Sequence, residues 1–225
     1  GVGYVERTPD FWELYSTSTD RGVGTMDMMG MTTYRMVDNL NNLKNERTAQ
    51  LDFGFQAEHG AWNGWASAYA GLIKDFILLE YNTPTKRQPL ARNVDATIAG
   101  AEAGLGYQWT DHFQTDISAM YAWGKNTSDG RALPQIAPLE GRLNLRYVDE
   151  KYSLGLLWRA VAKQNRISLN EGNVVGYDMN ESKAFNTLAV NGTYRLTDAV
   201  DVSVGIDNLL DKAYTEHLNK AGAST

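Results

Sequence analysis

Leu139-Glu140-Gly141-Arg142-Leu143-Asn144-Leu145-Arg146-Tyr147 alternates without a break between apolar and polar positions. A helix would scatter Glu140, Arg142, Asn144 and Arg146 around its axis. A strand puts them on one face and Leu139, Leu143, Leu145 and Tyr147 on the other. The same repeat of two recurs on both sides of this stretch. It sets Leu51, Phe53, Phe55 and Ala57 against Gln50, Asp52, Gly54 and Gln56. It sets Leu188, Val190, Tyr194 and Leu196 against Asn191, Thr193 and Arg195, and Val200, Val202, Val204 and Ile206 against Asp201, Ser203, Gly205 and Asp207. Only Gly64 to Tyr81 blurs the pattern, because both of its faces are fairly apolar.

The connections between these runs alternate between short and long. His59-Gly60-Ala61, Thr110-Asp111-His112, Asp149-Glu150-Lys151 and Thr197-Asp198-Ala199 are tight turns built from residues that bond their own backbone. Thr8 to Glu46, Asn82 to Arg92, Lys125 to Ala137 and Asn165 to Ala184 are long polar stretches. Such a sheet has two chemically different ends, as transmembrane β-barrels do, with short periplasmic turns and long external loops. Several runs exceed the usual strand of about 5–6 residues and reach the roughly 9–11 that a tilted membrane strand needs. Aromatic residues gather at the short-turn ends: Trp62, Trp65, Tyr107, Trp109, Phe113, Tyr147, Tyr152 and Tyr194. Rings at one level suit a membrane interface. A soluble β-sandwich also alternates, and alternation alone leaves that reading open. The pattern Tyr-x-(Trp/Leu)-Thr-Asp, at Tyr107 to Asp111 and again at Tyr194 to Asp198, is recurrent turn chemistry and not a duplicated domain.

Composition narrows the function classes. The 225 residues include no Cys, so disulfide frameworks and thiolate sites are absent. A net charge of -6 argues against nucleic-acid binding and favours cationic ligands. No run of about 18 apolar residues exists, so no transmembrane helix is available. With no starting Met and no signal peptide, Gly1 is expected not to be the natural beginning.

The pattern predicts nine strands: Gly1–Arg7, Arg47–Glu58, Trp62–Tyr81, Asn93–Trp109, Phe113–Lys125, Leu139–Asp149, Tyr152–Ile167, Thr187–Leu196 and Val200–Tyr214. An odd number cannot close an antiparallel barrel, and lipid does not tolerate open edges. The fold expected is therefore all-β, an antiparallel transmembrane β-barrel of which residues 1–225 are a part.

Asp207-Asn208-Leu209-Leu210-Asp211-Lys212-Ala213-Tyr214 resembles the signature near the end of TonB-dependent outer-membrane receptors. Arg7-Thr8-Pro9 with Glu13-Leu14-Tyr15, Asn93-Val94-Asp95 with Ala99-Gly100-Ala101-Glu102, and Leu133 to Pro138 with Arg142 and Tyr147 fit the same family in the same order. Within it the chain resembles the copper receptors most. That likeness rests on Tyr121 to Asn126, Arg131 to Ile136, Gln164 to Ile167, Gly172 to Gly176 and Tyr214 to Gly222. The resemblance implies a barrel of about 22 strands around a plug. Residues 1–225 would then lack the plug, the early strands and the final strand, and would supply about the thirteenth to twenty-first strands. It further implies the outer membrane of a Gram-negative bacterium, lipid around the barrel, and uptake of copper driven by the TonB complex through the plug. A metal chelate such as a siderophore is the alternative cargo. A passive porin or an outer-membrane enzyme are alternatives of another class.

The sharpest candidate site is Met26, Met28, Met29 and Met31, in the long stretch that also holds Met36. Thioether sulfur is a soft donor suited to Cu(I), and a flexible segment lets several sulfurs converge on one ion. The competing reading is an apolar loop packed on its neighbours. No resident cofactor is expected. His59 and His112 fall in the short turns and His217 at the opposite end, so the three cannot form one site. Asp52, Glu102, Asp116, Glu140, Arg142, Arg146, Arg159, Arg195, Asp201 and Asp207 are of mixed sign and are expected to line the lumen. No Gly-x-Ser-x-Gly elbow occurs, and Gly1-Val2-Gly3 and Gly104-Leu105-Gly106 lie in strands, which argues against hydrolase and dinucleotide readings.

Overall fold

The computed structural model describes residues 1–15, 43–80, 90–172 and 180–218. They form one antiparallel sheet of β1 (Val2–Arg7), β2 (Glu46–His59), β3 (Trp62–Glu80), β4 (Leu90–Gln108), β5 (Phe113–Asn126), β6 (Arg131–Ala132), β7 (Glu140–Val148), β8 (Tyr152–Val161), β9 (Phe185–Thr197) and β10 (Val200–Ile206). Nine strands pair in chain order, while the two-residue β6 makes a small hairpin on the end of β5. Among the described residues β1 and β10 each pair on one side only, so the sheet is open there. The expected nine strands and their neighbour-to-neighbour order are borne out, and β6 is an addition.

Register explains which residues share a face. Phe53 lies opposite Ala68, Ala68 opposite Ala101, and Ala101 opposite Tyr121. Four residues along, Ala57, Gly64, Leu105, Ile117, Leu143, Trp158 and Leu188 form another unbroken apolar row. The alternate rows belong to the other face, such as Gln56, Trp65, Gly104, Ser118, Arg142, Arg159 and Thr187. The apolar face is left uncovered: Phe53, Leu72 and Val204 are each more than 60% exposed. Water does not tolerate an apolar surface this continuous, whereas hydrocarbon does.

The apolar face also has a measurable height. Pairs of residues twelve apart bound it on four successive strands: His59 and Arg47 on β2, Trp62 and Lys74 on β3, Tyr107 and Asp95 on β4, and Phe113 and Lys125 on β5. No charged residue occupies that face between them. Twelve residues at about 3.3 Å each make roughly 40 Å of strand. At a tilt of about 45° they rise roughly 28 Å, close to the ~25 Å apolar band of membrane barrels and the ~30 Å hydrocarbon core.

The ring girdle is observed at the short-turn end. Trp62 lies 4.4 Å from Tyr107, Tyr107 4.6 Å from Trp109, and Tyr147 5.6 Å from Tyr152, centroid to centroid. Trp65 is the exception. It falls in a polar row and lies over Gly104, where an added Cβ would come within 2.5 Å of its Nε1. Gly104 is needed for that close approach.

Strand ends differ from expectation for local reasons. β8 stops at Val161, not Ile167, because Pro134 and Pro138 draw the incoming chain off β5 and β7 starts only at Glu140. β10 stops at Ile206, not Tyr214. Asn208 and Asp211 adopt positive φ of 51° and 49°, and the Asn208 side chain bonds both the amide and the carbonyl of Lys212. In the stretch Thr8 to Glu46, expected to be loop, a single turn of helix α1 (Phe11–Tyr15) forms. Its cap is reciprocal: the Glu13 amide donates to the Asp10 carboxylate and the Asp10 amide donates to Glu13, both at 2.8 Å. On β3, Asp75 at φ 56° marks a bulge that shifts the register between Ile73 and Phe76.

Candidate functional site

The long connections leave the same end of the sheet, and three arginines on its polar face hold them there. Arg7 grips Glu13 with both guanidinium nitrogens at 2.9 Å and reaches Glu46 at 3.2 Å. Glu46 also accepts the Ile77 amide at 3.2 Å, just past the bulge. One cation therefore ties β1, α1, β2 and β3 together.

Arg92, at the outer end of β4, holds Glu80, Asp129 and Glu171. Arg131 repeats the contact, with Asp129 at 3.2 Å and Glu171 at 3.1 Å. Asn126, fully buried, donates to Asp129 at 2.8 Å. Ser168 donates to Glu171 at 2.5 Å, and the Gly172 amide bonds the Leu79 carbonyl. Arg159 forms the third hub, with Glu140 at 2.6 Å and with Glu216, while Phe185 stacks on Tyr214 at 4.2 Å. The residues after β10 are thereby folded back over β8 and β9.

The hydrogen bond from Arg92 holds the Asp129 carboxyl below its usual range. A depressed folded pKa gives stability that is complete above the unfolded value and is lost as pH falls through the folded one. Hydrogen-exchange protection of the β5–β6 hairpin, corrected for intrinsic rates, is therefore expected to hold from neutrality down to about pH 4 and to fall only below it. Asp129→Asn is expected to remove that acid transition; an unchanged transition would assign it to another carboxylate.

Where Pro134 and Pro138 pull the chain away from β5, a small open cleft of about 120 Å³ lies among Tyr121, Gly124, Leu133, Ile136 and Arg166. The Arg166 guanidinium lies 4.8 Å from the Trp123 ring centroid and donates to the Gly124 carbonyl at 2.9 Å. It joins the Leu133 amide, 3.2 Å away, on that carbonyl, in the stretch of β5 that has β4 on one side and no strand on the other.

Met26, Met28, Met29 and Met31 lie outside the described residues. The elements that bracket them, α1 and the start of β2, both belong to the long-connection end. Among the described residues no group of three or more His, Asp or Glu is placed to hold a metal. His59 and His112 sit at the short-turn end, where His112 Nδ1 pairs with the Val148 carbonyl at 2.9 Å, and His217 sits at the other. The mixed charges expected on one face are found there, from Asp52 and Glu102 to Arg142 and Arg159. The Arg92 hub was not foreseen. Strand parity places Arg92 on that face, but its partners Asp129 and Glu171 stand 37 and 79 residues away in the chain, and no spacing reveals them.

A family model described as TonB dependent receptor-like, beta-barrel matches residues 1–209. Among solved structures, the copper transporter OprC is 47% identical to this chain at a TM-score of 0.87, covering 99% of this chain and 32% of that one. The ferric enterobactin receptor PfeA from Pseudomonas aeruginosa, a G324V mutant, is 19% identical at a TM-score of 0.68, covering 94% and 32%. The FrpB iron transporter from Neisseria meningitidis, F3-3 variant, is 19% identical at 0.58, covering 79% and 29%. These last two likenesses concern the fold alone. The chain spans about a third of the length of the structures it matches. Comparison with curated protein sequences finds no match.

Proposed function

The chain belongs to the TonB-dependent receptor β-barrel family, and from that premise we propose that it forms part of the wall of an outer-membrane receptor that takes up copper. The observation that carries the cargo is the 47% identity to a copper transporter across 99% of the chain, against 19% to receptors of iron and ferric enterobactin. On this reading, residues 1–225 are one part of a longer receptor whose plug, early strands and final strand complete the barrel. The TonB complex acts through that plug, lipid surrounds the apolar face, and the protein performs no catalysis.

The sequence supplies a chemistry consistent with this cargo. Met26, Met28, Met29 and Met31, between α1 and β2 in the chain, offer soft sulfur donors, and a thioether discriminates Cu(I) from the harder cations of the medium. The three arginine hubs fix the mouth through which the cargo passes.

Cu(I) titration and copper uptake by the full-length receptor test both steps. Replacing the four Met with Leu keeps bulk and removes sulfur; it is expected to weaken Cu(I) binding by about tenfold or more while the barrel stays folded. Unchanged affinity and uptake would remove the segment from the mechanism. Binding of a ferric siderophore in place of copper would move the cargo to the chelate class.

A further inference from the structure

The two boundaries of the apolar face carry opposite chemistry. At the short-turn end the boundary is aromatic, and the turns beyond it are acidic: Asp111, Asp149, Glu150 and Asp198 stand there with Lys151 the one Lys or Arg among the turn residues. At the other end the boundary is basic. Lys44 and Arg47 pair with Asp75 and Lys74 with Asp95, Glu6 lies opposite Arg47, and Lys125 opposite Thr97 and Arg166 over Trp123 continue the rim. In a chain of net charge -6, the described residues of this rim carry more cations than carboxylates.

Three observations point to what these cations meet. Lys74 and Lys125 each stand twelve residues above a ring of the aromatic girdle, Trp62 and Phe113, which sets them about one hydrocarbon thickness away, at headgroup level. Lys125 and Arg166 have no carboxylate within 4.0 Å among the described residues. The pair that Lys74 makes with Asp95 is two-thirds solvated on the lysine side, so its ammonium retains donors for another anion. Below them the surface is apolar, with Leu72, Tyr121 and Trp123 on the same face. Long cationic side chains rising from an apolar wall suit a ligand with acyl chains and an anionic head.

We infer that this rim is a docking site for a phosphate-bearing lipid of the outer leaflet, its phosphates held by Lys74, Lys125 and Arg166 and its upper chain against Tyr121 and Trp123. The inference rests on the outer-membrane placement of the barrel and is independent of the cargo. A lipid so held would cover the cleft beside Arg166, where β5 lacks a strand partner on its β7 side.

The test is native mass spectrometry of the full-length receptor in nonionic detergent, titrated with bisphosphorylated lipid A and with its dephosphorylated form. Wild type is expected to bind the phosphorylated lipid at least about fivefold more tightly, the scale of one cation near an anionic headgroup. The triple variant K74Q/K125Q/R166Q is expected to lose that preference. Because Arg166 also bonds the Gly124 carbonyl, K74Q/K125Q serves as a second variant and should show a partial loss. K151Q, at the opposite end, should keep the preference. A triple variant that still prefers the phosphorylated lipid overturns the proposal, as does displacement by equimolar inorganic phosphate, which would make the site one for free anions. Cu(I) binding measured on the same variants is expected to stay at the wild-type level, so the lipid site and the cargo stand or fall separately.

Discussion

Arginine in place of Ala101 is expected to destabilise the folded barrel by about 2–4 kcal/mol, the range for a cation facing lipid at the midplane. Ala101 stands six residues from Tyr107 and six from Asp95, midway between the girdle and the basic rim, in the row with Phe53, Ala68 and Tyr121. Its side chain has no lumen to turn to, because its neighbours Gly100 and Glu102 occupy the other face. The cost should fall with depth. Thr97→Arg, four residues nearer the rim, is expected to cost about 0–1 kcal/mol, since the guanidinium can reach the headgroups. Glu102→Gln, on the polar face beside Ser67, should stay within about 0.5 kcal/mol. Guanidinium unfolding of the full-length receptor in phospholipid vesicles measures all three. Equal costs at Ala101 and Thr97 would mean that the apolar face does not meet lipid, which returns the sheet to the sandwich class.

The depth scale in that experiment was legible from sequence, because it depends only on parity and counting. Once Leu139 to Tyr147 is read as a strand, the alternation assigns each face, and twelve-residue intervals separate rings from charges on neighbouring strands. Parity would also have corrected Trp65: it is an odd number of positions from Trp62 and must face away from it, so residue type alone was misleading there. The strand ends were less accessible. Asn208 and Asp211 lie in a run that reads as strand, and only their left-handed backbone and the bonds from Asn208 to Lys212 end β10 early. The hubs were beyond reach. An arginine on a polar face has many possible partners, and which carboxylate it meets depends on how connections of tens of residues fold back.

The Arg92 hub is the test of that last point. Arg92→Ala leaves Glu80, Asp129 and Glu171 close together with Arg131 as the remaining cation, and Glu171 is 4% exposed at its side chain. Removing one partner of a fully buried ion pair costs about 3–5 kcal/mol. Arg92 is about one-third exposed and Arg131 compensates in part, which reduces the expected loss to about 2–3 kcal/mol. Glu80 and Glu171 are also bridged partners across the sheet edge, so their repulsion acts on the contact that joins the β8–β9 connection to β3. The loss should therefore be local. Hydrogen exchange of the Gly172 amide, which bonds the Leu79 carbonyl, is expected to accelerate by about 30- to 150-fold, the equivalent of that energy. Amides in the middle of β4 and β5 should keep their protection. Arg92→Lys should restore only part of it, because an ammonium cannot match the fork that spans three carboxylates. Wild-type protection at Gly172 in the alanine variant would show that the connection is held by the backbone bridge and packing alone, and that the arginine merely neutralises charge.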